Sequence, residues 1–186
     1  MEKRIVTIDF DDVIVDTQKY QCDLAEKMFG VKLNIANSRQ SQHVPEYLTQ
    51  NQYDELIHTL YETSEGANIP LVVGAKEYLN KLQENGYLPK VVTARSDEET
   101  KYAREILEKE KIGIEIFNSN YTPKKDLCSG SFAHIDDAPH HLNSLEGIVK
   151  NLILLNKPHN KQIKVKDEIR RINSWKEFYS FLRNNE

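Results

Sequence analysis

With 186 residues, the chain can bury one sizeable core and a small insertion, but not two comfortable domains. Its formal net charge of -4 argues against a nucleic-acid partner gripped through phosphate contacts, while leaving a single bound nucleotide open. A hydrophobic share of 39%, a mean hydropathy of -0.64 and no run near the ~18 apolar residues of a membrane span predict a soluble protein with no membrane partner. Glu2, Lys3 and Arg4 lead straight into a short strand, without the apolar stretch and small-residue cleavage site of a signal peptide, so a cytoplasmic location is expected. Cys22 and Cys128 show neither a framework nor CxxC spacing and are expected to be buried, reduced thiols.

The first stretch with a pattern is RIVTIDFDDVIVDT, Arg4 to Thr17. Ile5, Val6 and Ile8 read as a strand buried on both faces, and Asp9, Asp11 and Asp12 crowd the point where it leaves the sheet. At an effective dielectric near 20, like charges about 4 Å apart cost on the order of 4 kcal/mol per pair, so the acids call for a cation or a proton. From Asp16 to Gly30 the residues Tyr20, Leu24, Ala25 and Met28 recur at helical spacing, with Gly30 as the stop. Little strand signal follows. After Val31 to Ile35 come the polar run Asn37 to His43, then Pro45, then a helix predicted over 51–63 with Leu56, Ile57 and Leu60 on its apolar face.

Beyond Gly74, a helix with Tyr78, Leu79 and Leu82 on one face runs to Gly86. LPKVVT, Leu88 to Thr93, is the second strand. Ser96 with Glu99 forms a capping box opening a helix that keeps Tyr102, Ala103, Ile106 and Leu107 inward. Ile114 to Phe117 is a third strand, Thr122 to Asp126 a lysine-bearing turn, Phe132 to Asp136 a fourth strand and Asn151 to Leu155 a fifth. Ser174 with Glu177 suggests another capping box and a closing helix, Trp175 to Leu182. Such alternation predicts an α/β fold, a doubly wound parallel sheet with helices on both faces.

The acids of the first strand recur at the fourth, where Asp136 and Asp137 follow Ile135. In a doubly wound sheet, strands one and four flank the topological switch point, so four carboxylates can converge there. Such a set suits a hard cation with oxygen ligands, Mg²⁺ above all, sharing its remaining positions with a phosphate. Thr93, Ala94 and Arg95 at the end of the second strand offer a hydroxyl, backbone N–H groups and a guanidinium to that phosphate. Lys124 or Lys125 could neutralise it near the carboxylates.

These four signals, DFDDV at 9–13, VVT ending at Thr93, the Lys124/Lys125 pair and IDD at 135–137, occur in the order of the four motifs of the haloacid dehalogenase-like hydrolase superfamily, which the chain resembles over nearly its whole length. The resemblance implies a Rossmann-like core, residues 1–15 and 69–186, with a small helical cap of the C1 type, residues 16–68. It implies Asp9 as the nucleophile that becomes an aspartyl-phosphate and Asp11 as the acid toward the leaving group, then the base toward water. It implies metal ligation by Asp9, Asp136, the main-chain carbonyl of Asp11 and, through water, Asp137. The cap type implies a small phosphorylated metabolite as substrate. Overall size and the ending RRINSWKEFYSFL are similar to bacterial 5'(3')-deoxyribonucleotidases, which implies a nucleoside monophosphate; sugar phosphates, a phosphomutase activity and a purely binding role are the alternatives.

Two features depart from or stand outside that pattern. Asp12 occupies a position where many members have glycine. The histidines of HIDDAPHH could ligate a transition metal together with Asp136 and Asp137, but His134 is expected inside the strand and His140 and His141 on a helix turn away from the strand end. Lys157, Lys161, Lys164 and Lys166, in the loop that follows the fifth strand on the active-site edge, could touch a nucleotide, but a solvated loop is the expectation. Removing one acid, as in Asp136→Asn, is expected to relieve repulsion.

Overall fold

The computed structural model describes residues 4–36 and 46–185; the polar run Asn37 to His43 and Pro45 lie outside them. Six strands, β1 (Arg4–Ile8), β2 (Tyr87–Thr93), β3 (Glu115–Asn118), β4 (Ala133–Asp136), β5 (Asn151–Leu155) and β6 (Ile169–Ile172), form one sheet in the order β3-β2-β1-β4-β5-β6. Every pairing is parallel. The order runs outward in both directions from β1 and β4, so the switch point lies between these two neighbours, as the acid pattern requires.

Side chains that alternate along a strand divide the core in two. Val91, Ile153 and Leu155 belong to a large apolar cluster on one face, and Val92, Leu152 and Leu154 to a smaller one on the other. Helices α1 (Thr17–Phe29), α2 (Gln50–Glu62), α3 (Ala75–Glu84), α4 (Asp97–Lys109) and α7 (Trp175–Asn184) contribute to the large cluster, whereas Cys128 beside α5 (Lys124–Leu127) and Leu142 of α6 (Pro139–Ser144) belong to the small one. The arrangement is a Rossmann-like α/β core with helices inserted between β1 and β2.

Local chemistry sets the helix ends. Gly30 terminates α1 in the left-handed region at φ 68, where a Cβ would be strained. Ser96 and Glu99 form the expected reciprocal box on α4. A further box, Thr49 with Gln52, opens α2 one residue earlier than expected. At α7 the box is half made: Ser174 Oγ accepts from the Glu177 N–H, while the Glu177 carboxylate turns to the N–H of Asn173 at 2.9 Å. The sixth strand was not expected. Its sequence is IRRI, and only its terminal isoleucines are buried, so it offers no apolar run.

The chain entering the helical insertion is hydrogen-bonded to the chain leaving it. Asp16 N donates to Pro70 O and Val72 N to Ile14 O, each at 2.8 Å, and Val15 bridges Leu71. From near the other end of the chain, the buried Trp175 indole donates to Val13 O at 2.9 Å, fixing the loop that carries the acids.

Candidate active site

Asp9 sits one residue past β1 and is tied to the neighbouring strand, its N–H donating to Ile135 O at 2.9 Å. That bond sets the carboxylates of Asp9 and Asp136 side by side at the carboxyl end of the sheet. Lys124, the first residue of α5, reaches between them: Nζ donates to Asp9 Oδ1 at 2.8 Å and to Asp136 Oδ2 at 2.6 Å. Lys125, the next residue along the same turn, is exposed to solvent. Of the two lysines, Lys124 is the one the structure brings to the acids.

Asp136 is fully buried and richly bonded. Oδ1 accepts from Ala138 N at 2.8 Å, and Oδ2 is approached by Lys124, by His134 Nε2 at 3.2 Å and by His141 Nδ1 at 3.3 Å. Burial alone would raise its affinity for a proton, but the Lys124 ammonium and the histidine hydrogen bonds outweigh it and hold the carboxyl well below the usual range. Asp9 has fewer donors. Burial, aided by the charges of Asp136 and Asp137, outweighs Lys124 and pushes it up from 3.8 to about 8. Lys124 itself loses by burial, yet the two carboxylates raise it above its ordinary value and keep it charged.

The expectation that His140 and His141 lie away from the strand end is corrected for His141. Pro139 starts α6 immediately after the acids, and the first turn folds His141 back so that its Nδ1 joins carboxylate oxygens of Asp9 and Asp136, all within 4.8 Å of one another. The relation of Asp136 to its surroundings also reverses the simple repulsion argument, because four donors lose a charged acceptor if it becomes an amide.

Asp11 faces a different set of partners. Arg95 grips it with a two-pronged contact, Nε to Oδ2 at 3.0 Å and Nη2 to Oδ1 at 2.8 Å, and the Thr17 hydroxyl at the start of α1 donates to Oδ1 at 2.5 Å. Arg95 was expected to meet a phosphate; here it meets the second acid of the motif. Thr93 is buried at the end of β2, with its hydroxyl accepting from Arg95 N at 3.2 Å, while Ala94 is exposed.

Asp12 adopts a left-handed conformation at φ 59, uncommon for a residue other than glycine and tolerated best by Asp and Asn. Its carboxylate accepts from Gln18 N at 2.8 Å, so it caps α1 in place of Asp16, whose side chain makes no capping bond. A second trio, Asp12, Asp137 and His159, places ligating atoms within 4.8 Å of one another, with His159 Nε2 on Asp137 Oδ2 at 2.9 Å. The loop after β5 therefore reaches the site: Lys157 Nζ, expected to be solvated, pairs with Asp16 at 3.1 Å, whereas Lys161 and Lys164 are exposed as expected. Thr17 and His159 had no separate sequence signal, since each is brought in by a helix start or a loop rather than by a motif, and His141 was signalled only as part of the histidine cluster HIDDAPHH.

The donor set suits a hard cation. Carboxylate oxygens of Asp9 and Asp136 lie together with Asp137 close by, a single ammonium serves the first two, and Asp9 is left with a raised proton affinity that a divalent ion would relieve. His141 is compatible with such a site as a hydrogen-bond donor or a ligand.

The family model described as "5' nucleotidase, deoxy (Pyrimidine), cytosolic type C protein" matches residues 3–185. The chain belongs to that family. It is a hydrolase of the haloacid dehalogenase-like superfamily, and solved structures of that superfamily share its fold. A family hydrolase from Deinococcus radiodurans R1, with bound phosphate and sodium, is 14% identical with a TM-score of 0.71, the match covering 98% of this chain and 96% of that one. The hydrolase YfnB from Bacillus subtilis, bound to magnesium, is 15% identical with a TM-score of 0.62, covering 98% and 99%. A predicted phosphoglycolate phosphatase from Haemophilus somnus 129PT is 15% identical with a TM-score of 0.63, covering 100% and 99%. Among curated proteins no significant sequence match is found. Among the described residues, no helix is long and apolar enough to cross a membrane.

Proposed function

We propose that this protein is a Mg²⁺-dependent phosphatase of nucleoside monophosphates that works through a phosphorylated Asp9. The observation that carries the chemistry is the Asp9–Lys124–Asp136 cluster at the switch point; the nucleotide substrate rests on the family description. Bound at Asp9, Asp136 and Asp137, the cation would neutralise the phosphoryl oxygens and the carboxylates together. The protein's own groups do the rest. Lys124 draws the phosphoryl group toward Asp9 and holds Asp9 in place, so that attack depends on positioning rather than on intrinsic nucleophilicity. An Asp9 oxygen forms a bond to phosphorus as the bond to the leaving oxygen breaks, and Asp11 donates its proton to that oxygen. Water then attacks phosphorus and passes a proton to Asp11, and the Asp9–phosphorus bond breaks to release inorganic phosphate and restore both acids. Thr93 and the backbone N–H groups beside Ala94 line the sheet edge on the phosphate side. We take residues 16–68 as the cap that encloses the substrate.

Phosphate release should be measured with Mg²⁺ over deoxy- and ribonucleoside monophosphates, sugar phosphates and phosphoglycolate. Deoxypyrimidine monophosphates are expected to lead the panel, EDTA to abolish turnover, and Asp9→Asn to lower kcat by at least ~10³-fold. A leading sugar phosphate overturns the nucleotide assignment alone. Appreciable turnover by Asp9→Asn overturns the covalent route, leaving direct attack by water.

A further inference from the structure

Arg95 follows a residue pair at the end of β2 whose natural partner is a phosphate, yet nothing about its surroundings leaves it facing one. Nε and Nη2 both lie on Asp11, and Nη1 points to Glu99 O at 3.5 Å. Two aromatic rings lie against the guanidinium carbon, Phe10 with its centroid 4.9 Å away and Tyr61 with its centroid 5.1 Å away. The side chain is 2% exposed. A guanidinium with its three nitrogens engaged and two rings in cation–π contact has no fork left to offer a substrate.

The two rings come from different parts of the chain. Phe10 lies between the two acids of the motif, whereas Tyr61 belongs to α2 in the helical insertion. Arg95 therefore connects three things: the end of β2, the carboxylate of Asp11, and the insertion that stands over the site. Thr17, which holds Asp11 Oδ1 from the other side, is the first residue of α1. The orientation of Asp11 is thus set from the end of β2 and from α1, with α2 acting through the contact of Tyr61 with Arg95.

We infer that Arg95 is a positioning residue for Asp11 rather than a phosphate ligand, and that Tyr61 links this hold to the placement of the insertion. The bidentate geometry fixes the plane of the carboxylate as well as its position, which a single ammonium could not do. The inference rests on the acid and base role proposed for Asp11. Its consequence is a dependence on leaving group. A poorly oriented Asp11 slows release of an alkoxide such as a nucleoside, which needs the proton, and spares release of p-nitrophenolate, which does not.

The test compares wild type with Arg95→Met, Arg95→Lys and Tyr61→Leu, each checked for native circular dichroism, on a nucleoside monophosphate and on p-nitrophenyl phosphate. Arg95→Met should lower kcat for the nucleotide roughly 10–100-fold, the scale of a misplaced catalytic group, with KM and inhibition by inorganic phosphate within about threefold of wild type. With p-nitrophenyl phosphate the same variant should give a rapid burst of p-nitrophenol near one per enzyme, then slow turnover, because the first step survives and activation of water does not. Arg95→Lys, which keeps charge but not the fork, should recover only part of the nucleotide rate and keeps the comparison available if Arg95→Met does not fold. Tyr61→Leu should show the same pattern more weakly. A KM and a phosphate inhibition constant that rise together for both substrates, with no burst, would make Arg95 a substrate ligand and overturn the inference; so would kinetics unchanged from wild type. If the wild-type protein releases no phosphate from either substrate, the proposed function fails, and this inference with it.

Discussion

The most direct consequence of the cluster is that the metal-free protein should lose stability as pH rises toward 8. Asp9 binds its proton up to about pH 8 in the folded protein, against about 3.8 when exposed. Between those limits the folded state carries a proton that the unfolded chain has released, so stability falls with rising pH at ~1.4 kcal/mol per pH unit. From about pH 6 to about pH 8, with the slope flattening as Asp9 finally ionises, the loss is roughly 2 kcal/mol. For a domain of this size that is on the order of 4–8 °C in Tm. The other shifted groups act elsewhere. Asp136 is held low, so its contribution is present above the ordinary carboxylate range and fades only in acid. His140 is lowered, chiefly by burial, and works in the opposite direction, but only below about pH 6.5.

The assay is thermal melting in EDTA at three pH values across this window, repeated with Mg²⁺ in excess, for wild type and Asp9→Asn. Wild type without metal should melt lower at each step up in pH, and Mg²⁺ should raise Tm more at about pH 8 than at about pH 6, since a cation takes the place of the proton. Asp9→Asn keeps an oxygen for Lys124 and carries no charge, so its metal-free Tm should exceed that of wild type at the upper pH and show little slope. A flat wild-type profile, or an equal slope in Asp9→Asn, would falsify the claim that burial outweighs Lys124 at Asp9.

Lys124→Met should cost several kcal/mol of stability without metal, by leaving the buried Asp136 carboxylate without its cation, with part recovered on adding Mg²⁺; Lys125→Met should stay within about 0.5 kcal/mol, and urea titration distinguishes them. Burial pushes the Cys128 thiol up to about 11, so at about pH 8 an aromatic disulfide reagent should leave Cys128 unmodified until the protein is unfolded; rapid labelling in native buffer would contradict this.

The frame of the molecule is legible because it rests on local signals. Apolar strands ending in acids, glycine stops and the Ser96 box each act through a few neighbouring residues, and the structure places them where those residues demand. β6 escaped because an edge strand needs only one side paired, so Ile169 and Ile172 suffice to anchor it while Arg170 and Arg171 keep the polarity of a loop. His141 escaped for a different reason: the helix turn that by spacing would carry it off starts at Pro139, directly after the Asp136–Ala138 hydrogen bond, and brings the ring back to Asp136.

The acids of the site could be located from sequence, but the division of cations among them could not. Three cationic residues, Lys124, Lys125 and Arg95, stand near strand ends, and spacing alone treats any of them as a phosphate ligand. Geometry separates them. A flexible ammonium at the start of α5 can bridge two carboxylates on adjacent strands, and Lys124 does so. The planar fork of Arg95 matches one carboxylate held in a fixed plane, and cation–π contacts with Phe10 and Tyr61 favour its staying there. Lys124 thus stays beside Asp9, where phosphoryl charge would arrive, while Arg95 serves the acid that must be aimed. The two carboxylates of one motif, two residues apart in sequence, end up with different partners, Lys124 at Asp9 and Arg95 with Thr17 at Asp11, and the proposed mechanism would give the two different tasks.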